Sequence, residues 1–518
     1  MHKKRMPDRT SHGATNRSRT DDLILTKDVL YQLSHSSLFA AKSIIAKFFR
    51  LVNTNFDAFL YIHWFFCYNE RNYSKFYICE FILKFSENTE ITMEKTKKTI
   101  IQKPRGTMDI LPEDMPIWLH IENAARAVCK RYGFHEIRFP TFEATELFAR
   151  GVGDTSDVVQ KEMYTFEDRE HRSFSLRPEG TAGIVRSIIE NGKCYDAMPL
   201  KLAYLINCFR YEKPQAGRSR EFYQFGIEMF GAESPSADAM VLALAHDFLK
   251  TIGITNAVLH INSIGCKNCR PQYHSALRSY LEAHRDELCD TCRERLEKNP
   301  MRILDCKSPV CKAIAAEAPK SIQHLCNDCQ THMDALCNEL NQMNIPYVID
   351  TGIVRGLDYY TRTVFEFIVP SIGAQSTILG GGRYDGLVSQ LGGPSLAGIG
   401  FAAGITRLIE AMKQSGVQID TSDDHPAVYL ASMGQSAETF AAVTAQKLRH
   451  AGIRAESDIC SRSLKAQMKY ADKIGASYII VIGDNELQSD CAVLKNMQSG
   501  EQENIILSQP ESWIEKLS

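Results

Sequence analysis

The sequence predicts an α+β fold: an antiparallel sheet with helices, an inserted helical, cysteine-rich module, and a smaller C-terminal α/β domain. Three observations predict it. Two strand patterns flank a basic loop within residues 202–230, nine of the 16 cysteines lie between Cys266 and Cys337, and strands alternate with helices after residue 426. A chain of 518 residues has room for roughly two to four such domains.

The composition limits the classes of function. Hydrophobic residues make up 44% and charged residues 24%, and the formal net charge is −2, so a folded protein is expected and any contact with nucleic acid must be local. We expect a cytoplasmic protein with reduced thiols and no membrane span, because the sequence shows neither a secretory signal nor a run of 18 apolar residues.

Residues 1–92 differ in composition from the rest of the chain. They hold one glycine and one proline but 16 of the 48 aromatic residues. Residues 14–34 resemble the peptide that results when a transfer-RNA gene is translated on the wrong strand. We interpret residues 1–92 as an extension that is disordered or not part of the native protein, which would then begin at Met93.

The first predicted element of the main part is a helix over residues 117–132. Apolar residues recur there at helical spacing, Asp114 or Glu113 is the expected cap, and Gly133 is the expected end. A short strand is predicted to follow, ending at Phe139.

The next elements are two strands, over residues 202–212 and 222–230, joined by the basic loop 213–221. Gln224 and Glu228 alternate with apolar residues on the second strand, so one face is polar. A solvent-facing sheet surface is the ordinary explanation. The arginines nearby instead suit a polyphosphate, and Glu228 suits a magnesium ion or a substrate ammonium group.

The cysteines between these strands and the C-terminal domain form spaced pairs. The spacings let two thiolates reach one tetrahedral zinc ion, whereas the alternative is a small helical module with buried thiols. The candidate zinc ligands are Cys266, Cys269, Cys289, Cys292, Cys306, Cys311, Cys326 and Cys329.

The last predicted elements are strands over residues 427–432, 453–456 and 478–482, with helices over 437–450 and 464–474. Their alternation predicts a small α/β domain with a parallel or mixed sheet.

Three segments carry a family resemblance. Residues 209–222 resemble motif 2 of the class II aminoacyl-tRNA synthetases, residues 137–143 resemble motif 1, and residues 398–408 resemble motif 3. Taken alone, the glycines of residues 380–382 would more often mark a tight turn or a bulge than a phosphate cradle.

Further segments narrow the resemblance to one family. Residues 354–361, 380–387 and 176–182 resemble signatures of the histidyl-tRNA synthetase family, of bacterial type, and the resemblance runs from about residue 103 to the C-terminus. It implies a ligase that activates L-histidine with ATP to histidyl-adenylate and pyrophosphate. The histidine is then transferred to the 3′ end of tRNA(His).

The resemblance also implies the residues that bind histidine. Imidazole both donates and accepts a hydrogen bond, so a carboxylate and tyrosine hydroxyls suit its recognition. The implied histidine-binding residues are Glu179, Gly180, Thr181, Gln224, Glu228, Tyr359, Tyr360 and Tyr384.

The implied ATP-binding residues are arginines. Arg210 is expected at the α-phosphate and Arg218 and Arg407 at the distal phosphates. Arg355 is expected to act with Arg210 in catalysis, supplying charge where other synthetases place a metal. Mg²⁺ is expected with ATP, and Gln215 is expected to contact the acceptor end of the tRNA.

The resemblance divides the chain into domains. Residues 93–425 are expected to form the catalytic domain, with the insertion at about 266–345, and residues 426–518 an anticodon-binding domain. Motif 1 implies a homodimer. The basic residues expected to face RNA are Arg454, Arg462, Lys465, Lys469 and Lys473.

Two other classes of function stay open at this point. One is a histidine-sensing regulatory subunit like the synthetase-like partner of ATP phosphoribosyltransferase, which predicts loss of part of the ATP or tRNA machinery. The other is a structural, synthetase-derived interaction protein that uses the cysteine-rich module.

Overall fold

The computed structural model describes residues 100–517, apart from 154–155, 215–216, 307, 371, 373–375 and 420–424. The interpretation of residues 1–92 therefore falls outside the described residues. None of the described helices has the length and apolar composition needed to cross a bilayer.

Eleven strands of the described chain precede the C-terminal domain. They are β1 (His135–Glu136), β2 (Phe142–Ala144), β3 (Thr165–Glu167), β4 (Ser173–Leu176), β5 (Leu200–Phe209), β6 (Glu221–Phe230), β7 (Val258–Ser263), β8 (Tyr347–Ile349), β9 (Thr361–Ile368), β10 (Thr377–Arg383) and β11 (Gly398–Gly404).

Eight of these strands form one sheet, in the order β1-β5-β6-β11-β10-β9-β7-β8. The pairs from β5 through to β7 are antiparallel, and only the outer pairs β1–β5 and β7–β8 are parallel among the described strands. This confirms the predicted antiparallel sheet. The strands β2, β4 and β3 form a separate three-stranded sheet.

Ten helices accompany these strands in the described chain. They are α1 (Met115–Tyr132), α2 (Thr145–Val152), α3 (Thr181–Glu190), α4 (Pro235–Thr251), α5 (Arg270–Ala283), α6 (Asp290–Lys298), α7 (Pro309–Glu317), α8 (Asn327–Gln342), α9 (Leu387–Gln390) and α10 (Ile405–Gln414).

The helix α1 confirms the first predicted helix and starts two residues earlier. Gly133 ends it in the left-handed conformation, with φ 74°. Asp114 occupies the N-cap position as predicted, but its side chain makes no capping hydrogen bond. The following strand stops at Glu136 instead of Phe139, since the Phe139 carbonyl accepts a hydrogen bond from Arg177 at 2.9 Å.

The predicted hairpin is confirmed as β5 and β6, paired from Leu200–Phe230 to Phe209–Glu221. The apolar face of β6 packs in the main core beneath α1 and α4. The polar face of β6 is not the solvent-facing surface that the ordinary explanation required, because Glu228 is only 1% exposed. It lies beneath a cavity.

The cysteine-rich insertion is helical, as predicted. Helices α5 to α7 enclose a small core that includes Leu277, Leu281 and Leu296. Helix α8 instead packs against the main core through Met333 and Leu336. Its far end returns the chain to the sheet at β8.

A buried polar cluster ties this helix to the sheet. Asp238 of α4 accepts hydrogen bonds from His332 of α8 at 2.8 Å, from the Thr363 hydroxyl at 2.6 Å and from Arg383 at 3.0 Å. Arg383 and Asp238 are fully buried. Burial alone would raise the pKa of Asp238, but the hydrogen bond from His332 and the charge of Arg383 lower it below its usual value.

The C-terminal domain has a mixed five-stranded sheet in the described chain, as predicted. The elements of the domain are β12 (Val428–Ser432), α11 (Gln435–His450), β13 (Ala455–Ser457), α12 (Leu464–Lys473), β14 (Tyr478–Ile482), α13 (Asp484–Ser489), β15 (Cys491–Asn496), β16 (Gln502–Ile506) and α14 (Glu511–Ile514). The strand order is β13-β12-β14-β15-β16, parallel from β13 to β14 and antiparallel beyond.

The hairpin of β15 and β16 did not follow from the sequence analysis. The predicted lysine stripe Lys465, Lys469 and Lys473 lies exposed along α12. Arg462 precedes this helix, pairs with Asp458 at 2.7 Å and stacks over Tyr470. Contact of this face with RNA stays a prediction.

Candidate active site

A cavity of about 850 Å³ opens over the polar face of the main sheet. Its floor is formed by β6, β10 and β11, and its walls come from the α3 N-terminus, the segment before β9 and part of the insertion. Every predicted histidine- and ATP-binding residue lines it: Glu179, Gly180, Thr181, Arg210, Arg218, Gln224, Glu228, Arg355, Tyr359, Tyr360, Tyr384 and Arg407. Gln215 lies outside the described residues.

The deep end of the cavity centres on Glu228. Its carboxylate accepts hydrogen bonds from the Thr181 hydroxyl at 2.7 Å, from the Tyr384 hydroxyl and, at 3.5 Å, from the Tyr204 hydroxyl. Burial raises the pKa of Glu228 to about 8, against the opposing effect of the hydrogen bonds from Tyr384 and Thr181. A buried acid with these partners is suited to receive a cationic group.

Glu179 occupies the neighbouring wall because it caps a helix. Its two carboxylate oxygens accept the backbone N–H groups of Thr181 and Ala182, both at 2.8 Å, at the N-terminus of α3. The Tyr359 hydroxyl lies 3.5 Å from the same carboxylate. The pKa of Glu179 lies above its usual value, because the effect of burial exceeds the opposing effect of the two backbone hydrogen bonds.

Glycines make room for an aromatic side chain at this end. A Cβ on Gly180 would lie 2.7 Å from the Tyr204 ring, and one on Gly226 would lie 2.3 Å from the same ring. Tyr204 is consequently able to place its hydroxyl near Glu228. Gly180 thus shapes the pocket through Tyr204.

Arg355 also lines the cavity. Its guanidinium lies over Gly380, where a Cβ would approach to 2.7 Å, and it pairs with Glu366 of β9. Among the described residues its buried Nε has no hydrogen-bond partner. Buried donors without a partner are uncommon in folded proteins.

The run Gly380 to Gly382 proves to be part of a central strand. Of the two ordinary explanations, a tight turn or a bulge, the strand pairing agrees with the bulge, since the register shifts between Gly382 and Arg383. The glycines let other groups approach closely: a Cβ on Gly381 would lie 2.1 Å from the Gly400 carbonyl oxygen.

The other three arginines lie close to one another in the cavity lining. Arg218 pairs with Glu212 at 2.8 Å, and Arg210 donates to the Pro178 carbonyl at 2.9 Å. Arg407 donates to the Thr377 carbonyl at 2.8 Å. Burial and the neighbouring Arg218 charge lower the pKa of Arg407, which indicates a concentration of positive charge.

Several cavity residues were missed by the sequence analysis. Tyr204 and Glu366 come from strands whose register could not be read from the sequence; Glu366 pairs with Gly380 across the sheet. Asp305 and Lys312 belong to the insertion, which was not expected to reach the cavity. Polar residues do not alternate along β5 or β9, so the local pattern gave no signal for Tyr204 or Glu366.

The antiparallel sheet, with an acidic pocket and clustered arginines in one cavity, defines a class II aminoacyl-tRNA synthetase. The family model described as histidyl-tRNA synthetase matches residues 106–408, and the model described as anticodon binding domain matches residues 427–517. The chain therefore belongs to the histidyl-tRNA synthetase family.

Individual relatives agree with the family models. The histidine–tRNA ligase of Clostridioides difficile (strain 630) is 50% identical over 410 residues, which cover 79% of this chain and 97% of the relative. That of Acetivibrio thermocellus is 51% identical over 408 residues, covering 79% and 98%. The solved apo histidyl-tRNA synthetase of S. aureus is 40% identical, covers 80% of this chain and 100% of its own, and superimposes with a TM-score of 0.69.

These findings confirm the predicted function. The protein is a ligase that forms an aminoacyl-tRNA bond, a histidine–tRNA ligase, and it takes part in protein biosynthesis. The alternatives of a regulatory subunit and of a purely structural protein are not supported, because relatives at about half identity over most of the chain are ligases.

Proposed function

We propose that the cavity binds histidine at its deep end and ATP along the arginines. Glu228 and Thr181, with Gln224, would hold the histidine ammonium group. Glu179, Tyr360 and Tyr384 would recognise the imidazole, while Tyr359 and Gly180 would shape the wall. The ammonium charge would also ionise Glu228, since an opposite charge favours the carboxylate.

The observation that carries this proposal is that Arg355 lines the same cavity as Glu228 and the other three arginines, with its guanidinium over Gly380. Histidine bound near Glu228 would point its carboxylate toward this guanidinium. The carboxylate is ionised at pH 7 and needs no general base. It would attack the α-phosphorus of ATP, and pyrophosphate would leave along the line of attack.

The arginines would stabilise the charge that develops in this step. Arg210 and Arg355 would contact the α-phosphate, and Arg218 and Arg407 would hold the distal phosphates. Mg²⁺ would enter with ATP, as is general for this class of ligases. Glu212 and Glu366 line this side of the cavity and offer the oxygen ligands that Mg²⁺ prefers.

The remaining proposals concern partners and organisation. tRNA(His) would bind with Gln215 near its acceptor end and residues 426–518 near its anticodon. Residues 93–425 would form the catalytic domain, with the insertion at about 266–345. We propose a cytoplasmic homodimer, and zinc as the ion held by the paired cysteines of the insertion.

Histidine-dependent ATP–pyrophosphate exchange tests the proposed roles. Arg355→Ala should lower the exchange rate about 100- to 1,000-fold, as removal of a transition-state donor does. Arg293→Ala is the matched control, because Arg293 is an exposed arginine paired with Asp290 on α6. Unchanged exchange in Arg355→Ala would contradict the role of Arg355 in activation.

A further inference from the structure

The eight candidate cysteines fall into two separate groups. The root cluster consists of Cys266, Cys269, Cys326 and Cys329, and the distal cluster consists of Cys289, Cys292, Cys306 and Cys311. Within each cluster the four sulfur atoms lie within 4.8 Å of one another. We propose that each cluster binds one structural zinc ion, and that the two ions brace the wall of the catalytic cavity.

The sulfur separations fit tetrahedral zinc. Four thiolates at a Zn–S distance of about 2.3 Å lie about 3.8 Å apart. The Cys266 sulfur lies 3.7 Å from that of Cys269 and 3.9 Å from that of Cys326, and the sulfurs of Cys289 and Cys306 are 3.9 Å apart. Disulfides need about 2 Å. A four-iron cluster needs wider spacing, because each cysteine binds a different iron.

Backbone N–H groups point at the sulfurs in both clusters. The Cys326 N–H donates to the Cys269 sulfur at 3.1 Å, and the Asn268 N–H donates to Cys266 at 3.4 Å. In the distal cluster the Cys289 N–H donates to the Cys311 sulfur at 3.3 Å. Such hydrogen bonds orient metal-bound thiolates and stabilise their charge.

Helix N-termini converge on each cluster. Cys269 and Cys326 are the N-cap residues of α5 and α8, and Cys289 is that of α6. Cys311 lies in the first turn of α7. Four thiolates and one Zn²⁺ carry a net charge of −2, and the positive ends of two helix dipoles offset it at each cluster. All four thiolates are protein ligands, so each site is closed and structural.

The root cluster lies beside the proposed histidine pocket. Gly265 precedes it with φ 70°, and a Cβ there would lie 2.8 Å from the Cβ of Cys269. Arg270 directly follows Cys269 in the sequence and donates to the backbone carbonyl of Tyr360. A metal here would hold the root of the insertion and, through Arg270, the backbone of Tyr360.

The distal cluster reaches the cavity itself. Cys306 lines the cavity together with Asp305 and Lys312. Arg302, just before it, pairs with Asp358 at 2.8 Å in the segment that carries Arg355. A metal here would fix this part of the insertion against the catalytic segment.

Metal content of the full chain tests the proposal independently of ligase activity. Protein from zinc-supplied cultures, purified without chelator, should contain two zinc ions per chain by plasma mass spectrometry. Titration with a mercurial thiol reagent should release both ions from the unaltered protein. Folded, active protein with one zinc ion or fewer, or with iron in place of zinc, would overturn the two-site proposal and leave the ligase assignment intact.

Single substitutions then assign each ion. Cys326→Ser should remove the root ion and Cys289→Ser the distal ion, so that each variant retains one zinc per chain. Cys337→Ser is the matched control, because Cys337 lies on α8 outside both clusters and should leave two. Replacement by Co²⁺ should give the intense visible absorption of tetrahedral thiolate coordination in both sites.

Discussion

Glu228 combines a functional and an energetic role at a single residue. Its pKa in the folded chain is about 8, against an ordinary value of 4.5. At a pH between these two values, the carboxyl is mostly ionised in the unfolded chain and mostly protonated in the folded chain. This group therefore costs stability progressively as pH rises from about 5 to 8.

Glu228→Gln removes that cost; its amide oxygen accepts from one of the Thr181 and Tyr384 hydroxyls, and its NH2 group donates to the other, which must rotate to accept. We expect the free energy of unfolding of the variant to exceed that of the unaltered protein by an amount that grows from pH 5 to pH 8 and reaches roughly 4 kcal/mol. Pyrophosphate exchange should be lost. Thermal unfolding monitored by circular dichroism at both pH values measures the effect.

Glu317→Gln, at an exposed residue that ends α7, is the control and should show no such trend. A difference in stability between Glu228→Gln and the unaltered protein that shrinks as pH rises would contradict the raised pKa of Glu228.

Gly380 illustrates how a missing side chain can serve the site. In Gly380→Ala the new methyl would press on the Arg355 guanidinium, so we expect exchange activity to fall at least about 10-fold, since small displacements of catalytic groups are costly. Gly386→Ala is the control, because nothing lies within 4 Å of its Cβ position and its φ is −95°. Equal activities in the two variants would argue against displacement of Arg355.

At the scale of elements, the buried cluster of Asp238 joins α4, α8, β9 and β10. Asp238→Ala would remove the fully buried carboxylate that pairs with Arg383 and leave Asp385, whose side chain is 31% exposed, as its remaining carboxylate partner among the described residues. We expect a loss of about 3–5 kcal/mol in the free energy of unfolding, measured by urea denaturation. Asp290→Ala, whose side chain is 92% exposed, should change it by less than about 1 kcal/mol. Similar stabilities for both variants would show that Arg383 finds other partners.

The elements differ in how far the sequence determines them. The hairpin of β5 and β6 follows from period-two alternation and a short loop, both local properties. The pairing of Arg383 with Asp238 could not be predicted, because the two residues lie 145 positions apart. The other partner of Asp238, His332, belongs to α8, and this contact depends on how α8 packs against α4. The glycines of β10 look like a turn until their neighbours Arg355 and Gly400 are known.

The same contrast holds for the site. The residues implied by the family signatures do surround one cavity, whereas Glu366 and Tyr204 required the sheet register. The eight cysteines were predicted as zinc ligands, but the sequence did not predict which pairs combine. In the folded chain Cys266 and Cys269 meet Cys326 and Cys329, which follow 60 residues later, and not the pair that comes next in the sequence.

At the scale of the whole molecule, an aromatic patch beside motif 1 supports the proposed homodimer. Phe142 is 51% and Phe166 is 43% exposed, and their rings lie 6.0 Å apart on the three-stranded sheet. Phe142→Asp should shift the protein from dimer to monomer in light scattering. Ile459→Asp, at a 90% exposed residue of the C-terminal domain, should remain dimeric. A dimer unaffected by Phe142→Asp would place the interface elsewhere.

Each of the four cavity arginines already has a partner within the protein, and this affects how the site binds other anions. Arg355 and Arg218 are paired with carboxylates, and Arg210 and Arg407 with backbone carbonyls. An incoming anion must displace these groups, so a single phosphate or sulfate gains little from any one arginine. A triphosphate that engages all four at once gains from each. If ATP binds these arginines as proposed, the internal pairing would favour the nucleotide over the abundant simple anions of a cell.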